Sequence, residues 1–209
     1  MIILWILIPL IVVLPIFSLL VGLKRGQTPH QTRRQREKAE YLGAIGEEQV
    51  ETLLRRCMIE GDKLLSNVRL PNWEEGDIDH ILLSTRGFFV IETKNWAGDI
   101  YGDETSEQWK LVFSDGTTEK RFSPFKQNNG HIYALKQFCN LRVWFENIIV
   151  FVQDNTQYIQ SSCVFTMAEF EQRLNSLHDV NIRNVKERDN LFALLGSYAT
   201  RVFELPKSK

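Results

Sequence analysis

Cysteine is scarce in this chain. Cys57, Cys139 and Cys163 are an odd number and stand far apart, with no C-x-x-C and no Cys/His cluster. That pattern excludes a disulfide framework and a structural zinc site, and it suits a reducing compartment. A G-x-G-x-x-G run, a P-loop and a Ser/His/Asp order are also missing, so the nucleotide cradles and triads built on those motifs have no footing. The chain has no internal repeat and no low-complexity tract. Net charge is nearly absent too, at −1 from 25 Lys+Arg and 26 Asp+Glu in 209 residues. That sum is spread unevenly: residues 1–23 carry no charged side chain.

What is present divides into three pieces. The head, MIILWILIPLIVVLPIFSLLVGL, is apolar throughout. As a helix it spans roughly 34 Å at 1.5 Å per residue, enough for a hydrocarbon core of about 30 Å. Pro9 and Pro15 would break a soluble helix but are better tolerated in a membrane span, and Trp5 suits an interface. A cleaved signal peptide needs a basic start, a shorter apolar core and a small-residue cleavage site. None is present, so an uncleaved transmembrane anchor over 1–23 is expected.

The second piece is a basic juxtamembrane linker over 24–38. It holds Lys24, Arg25, Arg33, Arg34, Arg36 and Lys38 against the single acid Glu37. Basic flanks stay on the cytoplasmic side. The expected localisation is the cell membrane, single-pass, with the N-terminus outside and the C-terminal domain in the cytoplasm. The same collar can also hold nucleic acid or anionic lipid.

The third piece, one domain over 39–205, is acidic: 19 basic side chains face 25 acidic ones from Ala39 onward. A composition 44% hydrophobic and 24% charged excludes a disordered chain. The spacing of Leu42, Ile45, Val50, Leu53, Leu54 and Cys57 predicts a helix over 38–58, with interruptions at Gly43 or Gly46. Strands are expected at 64–70, 78–84, 88–94, 99–102, 109–113 and 117–122, with Thr85-Arg86-Gly87 as a hairpin loop. Pro124 starts a helix carrying Ile132, Leu135, Phe138 and Leu141. IIVFV at 148–152 reads as a strand buried on both faces. Residues 167–177 and 187–202 read as helices. The fold class is α/β, a mixed central β-sheet flanked by helices and preceded by one N-terminal transmembrane helix.

Chemistry concentrates in Gly76-Asp77-Ile78-Asp79-His80 and Ile91-Glu92-Thr93-Lys94. Alternation along a strand puts Glu92 and Lys94 on one face, and the hairpin can bring Asp79 beside Glu92. Two close carboxylates repel unless a cation lies between them. Mg²⁺, a hard ion, accepts carboxylate oxygens, and the backbone carbonyl of Thr93 can add another. Such an ion polarises a phosphate and lowers the pKa of a bound water, which Lys94 can orient. The bland alternative is a cross-strand or same-face salt bridge. Asp77 competes with Asp79 as a ligand but fits the turn entering the strand. His80 points to the other face as a packed or surface histidine, and His131 can approach the site. Trp96 and Trp109 fit a core, a lid or a base-stacking role.

Four segments in order, GEEQVE at 46–51, GDIDHILLS at 76–84, GFFVIETKNWAGDIYG at 87–102 and SPFKQNNGHIYAL at 123–135, resemble the nuclease-related domain (NERD) family of the PD-(D/E)xK nucleases. The resemblance covers roughly 40–155. It implies a restriction-endonuclease-like fold and a bacterial source. It also implies Asp79 and Glu92 as metal-binding acids, Lys94 as catalytic lysine, Glu47 as the helical acid and Gln127 as the glutamine of the N-P-x-x-Q segment. Ser123 stands where that segment has Asn. Mg²⁺ or Mn²⁺ is the expected cofactor. Nucleic acid, DNA ahead of RNA, is the expected partner, and a homodimer is compatible with the fold. The alternative is a non-catalytic membrane-tethered module of the same fold that binds nucleic acid or protein.

Overall fold

The computed structural model describes residues 29–74, 76–140, 143–177 and 184–206. The anchor expected over 1–23 and the first part of the linker lie outside them. Among the described residues no helix is long and apolar enough to cross a membrane. The chain divides into two compact units, 1–41 and 42–209. In the first, the described residues are helical, and Arg33 Nε donates to Glu37 Oε1 at 2.7 Å, one turn on.

Helix α1 runs Pro29–Cys57 without a break. The interruption expected at Gly43 or Gly46 does not occur. Gly46 has a packing role instead: a Cβ there would stand 3.1 Å from Asn95 Cβ and 3.3 Å from Val152 Cγ2. A bare Cα lets the helix lie close against the sheet.

The main sheet has six strands in the order β10-β1-β2-β3-β7-β9. β1 (Lys63–Val68), β2 (Ile78–Ser84) and β3 (Gly87–Lys94) form an antiparallel meander. The β2–β3 loop is only Thr85-Arg86, one residue shorter than expected, because Ser84 pairs with Gly87. β7 (Glu146–Phe151) then lies parallel to β3, and β9 (Val164–Thr166) parallel to β7. Ile148, Ile149, Val150 and Phe151 are all buried, as a continuous apolar run in a parallel strand requires.

A second sheet, ordered β6-β5-β4-β8, contains β4 (Asp99–Asp103), β5 (Gln108–Val112), β6 (Thr118–Phe122) and the short β8 (Ile159–Gln160). Its inner face, Ile100, Trp109 and Leu111, packs on Ile149 and Phe151. Trp109 is fully buried against Phe151, so it is a core residue.

Helices α2 (Pro124–Cys139) and α4 (Asn184–Leu195) cover one face of the main sheet, where Ile81, Leu83, Phe88 and Val90 meet Ile132, Leu135, Leu191 and Leu195. α1 and α3 (Met167–Ser176) cover the other, where Leu82, Phe89 and Ile91 meet Val50, Leu54, Phe170 and Leu174. The helix expected over 187–202 stops early. A 3₁₀ turn at Gly196–Tyr198 ends it, and Ala199–Glu204 becomes strand β10, antiparallel to β1. Gly196 weakens the helix, and the β-branched Thr200 and Val202 suit a strand.

Behind the hairpin, Arg86 and Asp62 form a buried ion pair at 2.7 Å. The same guanidinium donates to the carbonyls of Cys57 and Leu174, the closing turns of α1 and α3. Helix-end carbonyls lack partners within their own helix, so one cation anchors both helices to the hairpin tip.

Candidate active site

Strand alternation decides which side chains of the hairpin meet. His80 pairs with Ile91, and continuing that register by one residue sets Asp79 opposite Glu92. Directly opposed residues share a face, here the α2 side. Lys94, two residues beyond Glu92, points the same way. Its Nζ donates to Glu92 Oε1 and, at 3.1 Å, to Gln127 Oε1 from the first turns of α2. His131 follows one turn later, with Nδ1 3.5 Å from Glu92 Oε2. Glu92 and His131 are almost fully buried.

Asp79 closes the end of the hairpin. Its Oδ2 accepts the backbone N–H of Thr93 at 2.7 Å, where a ladder partner from β2 would otherwise stand. Thr93's carbonyl leaves the strand on the same side as its N–H, toward Asp79. Burial and then the Glu92 charge push the Asp79 carboxyl well above the usual carboxylate range. Lys94 and the Thr93 N–H oppose that rise, and Glu47 adds to it.

α2 is held in register by a polar set that sequence reasoning did not single out. Ser123 caps the helix, its Oγ accepting from Lys126 N at 3.4 Å, and Pro124 occupies the first turn. Ser123 thus starts the helix at the position where the family motif has Asn. Buried Asn128 donates to Val90 O at 2.8 Å and to Asn147 Oδ1 at 2.8 Å, and Asn147 donates to Asn129 Oδ1 at 2.9 Å. The signal was available: an amide at the i position of the apolar stripe Asn128, Ile132, Leu135 is costly to bury unless it bonds across.

The other expected residues fall at or beyond the margin. Glu47 approaches from α1, on the opposite face of the sheet. Its Oε2 accepts from Asn67 Nδ2 at 2.9 Å, while Asn67 Oδ1 accepts from Arg201 at 3.0 Å. Asn67 has φ 51°, a left-handed conformation that asparagine tolerates. Asp77 pairs bidentately with Arg69 at 2.8 and 3.0 Å, outside the site. His80 is buried on the α1 side against Ser66 Oγ at 3.0 Å, and burial lowers its pKa to about 4. Trp96 lies near two cations, with Lys94 5.7 Å and Arg121 5.0 Å from its ring centre.

The structure therefore brings Asp79, Glu92, Lys94 and Gln127 to one end of one sheet face, with His131 behind Glu92 and Glu47 at the flank. Among the described residues no three His, Cys, Asp or Glu side chains already stand as a complete metal cage. Glu92 Oε2 is buried with no hydrogen bond to any described residue. An oxygen-rich, partly unsatisfied site with two adjacent carboxyl groups fits a hard divalent cation that keeps several waters.

An uncharacterized protein of Bacillus anthracis is 37% identical over 102 residues, which are 46% of this chain and 46% of that protein. The alignment thus spans about half the length of each. No solved structure matches the chain. The nuclease-related domain matches residues 42–152, from the start of the second compact unit to just past β7, and takes in each of the expected site residues. Since that match covers more than half of the sequence, the chain belongs to the nuclease-related domain family.

Proposed function

We propose that this protein is a metal-dependent nuclease of restriction-endonuclease-like fold that hydrolyses nucleic-acid phosphodiester bonds. The observation that carries the reading is the shared face of Asp79 and Glu92, with Lys94 hydrogen-bonded between Glu92 and Gln127. Asp79, Glu92 and the Thr93 carbonyl would hold Mg²⁺ or Mn²⁺, with Glu47 as an outer acid. Such an ion would supply Lewis-acid polarisation of the phosphate and a more acidic water. The chain's own groups do the rest. Lys94 presents a cation to the phosphate oxygens, and Gln127 fixes the ammonium through its amide oxygen. His131 backs the buried carboxylate of Glu92 and limits its rotation.

The apolar head supports a tether at the cell membrane, and the basic collar supports a cytoplasmic position for the domain. DNA is the first candidate substrate. A second reading, a non-catalytic binding module, draws on the Lys94–Glu92 ion pair, which satisfies both charges without a metal.

The test incubates the full chain with labelled DNA and RNA in Mg²⁺ or Mn²⁺. Glu92→Ala and Lys94→Ala should each lower cleavage by about a hundredfold or more. Cleavage unchanged by both would mark a contaminant and reject the nuclease reading. Absent cleavage by the parent chain, together with intact nucleic-acid binding, would favour the module.

A further inference from the structure

The second sheet has an outer face that the site does not use. Register places Tyr101 opposite Lys110 and Lys110 opposite Lys120, so these three stand in one row across β4, β5 and β6. On the far side, Tyr158 lies beside Tyr101, next to β8, their rings 4.7 Å apart and within 7° of parallel. One row further along, Phe122 pairs with Gln108. Tyr101, Tyr158 and Phe122 are 41%, 47% and 57% exposed. Lys110 and Lys120 are exposed as well. The row crosses four strands, or about 14 Å at 4.8 Å per strand.

Two carboxylates share this face, and each is held by hydrogen bonds beside its own strand. Asp99 contacts Gln157 at 3.4 Å. Asp103 is enclosed by the N–H and hydroxyl groups of Thr105 and Ser106. Glu119, in register with buried Leu111, belongs to the inner face and pairs with Arg121. A lysine-bearing, aromatic-rich face thus stands on a domain that is acidic as a whole.

We infer that this face is a docking platform for single-stranded nucleic acid, with bases stacking on Tyr101, Tyr158 and Phe122 and phosphates on Lys110 and Lys120. The inference deepens the nuclease reading, on which the choice of a nucleic acid as occupant rests. The aromatic groups select a single strand. The outward faces of these rings can take the faces of bases, which a duplex hides by its own stacking. The two lysines add a sequence-independent attraction to the backbone. Phe122 also ends β6 directly before Ser123 and α2, the helix that carries Gln127, so the platform borders the segment leading to Lys94.

The experiment measures anisotropy of the full chain with a labelled twelve-nucleotide oligothymidine and with a labelled duplex, in EDTA so that neither is consumed. The parent should prefer the single strand. Tyr101→Ala and Tyr158→Ala should each weaken single-strand binding about tenfold, while Tyr101→Phe, which keeps the ring, should stay within about twofold of the parent. Replacing both Lys110 and Lys120 by Gln should reduce the slope of log affinity against log salt by about 1.4. Equal or tighter binding of the duplex, no binding of either probe, or unchanged single-strand binding in both Tyr101→Ala and Tyr158→Ala would each overturn the platform. Cleavage that depends on Glu92 while the tyrosine variants bind normally would remove the platform alone. Tyrosine-dependent binding with Glu92-independent cleavage would remove the nuclease reading and leave a binding surface.

Discussion

Two carboxylates held side by side at the edge of a core oppose folding unless something neutral or positive separates them. Asp79 carries that burden, since burial and Glu92 both raise its pKa. Its folded form binds a proton more readily than the unfolded chain, so its destabilising effect grows as pH rises through the raised pKa. Asp79→Asn keeps an oxygen for the Thr93 N–H and removes the charge. The variant should lose cleavage yet melt about 3 °C higher at pH 8 in EDTA, a gain of about 1 kcal/mol. Near pH 4 the gain should vanish. Added Mg²⁺ should raise the melting temperature of the parent and not of the variant. Lower stability of the variant at pH 8 would contradict the electrostatic account. His80 has the opposite sign. Its folded pKa is depressed to about 4 from 6.5, so the neutral form is favoured and stability is lost as pH falls through that window. The slope cannot exceed one proton, about 1.4 kcal/mol per pH unit. Denaturant titrations from pH 7 to 4 should show the parent losing about 3 kcal/mol relative to His80→Gln. Parallel curves would show that His80 does not titrate in this way.

Helix α1 shows how one residue type acts differently within a single element. Gly43 has nothing within 4 Å of a built Cβ, whereas Gly46 meets Asn95, Val152 and Thr93 at 3.1–3.4 Å. Gly43→Ala should therefore stabilise the chain by about 0.5–1 kcal/mol through helix propensity. Gly46→Ala should gain nothing, because the propensity benefit is offset by pushing α1 off β3 and β7. Chemical denaturation of both variants checks this, and equal gains would show that the helix does not pack as closely as described. Elements of this kind also decide what can be read from a sequence. Asp79, Glu92 and Lys94 are legible because strand alternation and a short hairpin are local rules, and both hold here. The apolar stripe of α2 is legible for the same reason. β10 is harder to read: Leu191, Leu195 and Val202 keep helical spacing, the local signals of Gly196 and Thr200 are weak, and pairing with β1, more than 130 residues earlier, fixes Ala199–Glu204 as a strand. The Arg86–Asp62 pair and the Asn128–Asn147 bridge are hidden likewise, since both depend on partners that tertiary packing supplies. The break expected at Gly43 or Gly46 follows from the local weakness that glycine signals, whereas the use of Gly46 is long-range.

At the scale of the whole molecule, the near-zero net charge is a cancellation between parts with different physical roles. Residues 1–23 carry no charge, residues 24–38 carry six basic side chains and one acid, and the remainder is acidic. Orientation in a membrane depends on basic residues within about 15–20 positions of the span and little on acids farther away. The acidic domain therefore does not counteract the collar, even though it outweighs it in number. This separates an integral anchor from an electrostatic attachment. A chain held by its collar alone would leave membranes in high salt, since surface attraction is screened within about 10 Å at 0.1 M. A chain held by residues 1–23 should stay in the pellet through both 1 M salt and alkaline carbonate, and deletion of 1–23 should release it. In right-side-out cells, protease added outside should spare the domain. Replacing Lys24, Arg25, Arg33, Arg34, Arg36 and Lys38 with Gln should remove the orientation bias and expose the domain in a measurable fraction of molecules. Digestion of the parent's domain from outside would overturn the cytoplasmic placement. With it would go the tethered nuclease as proposed, because the domain would then face away from the cell's own nucleic acid.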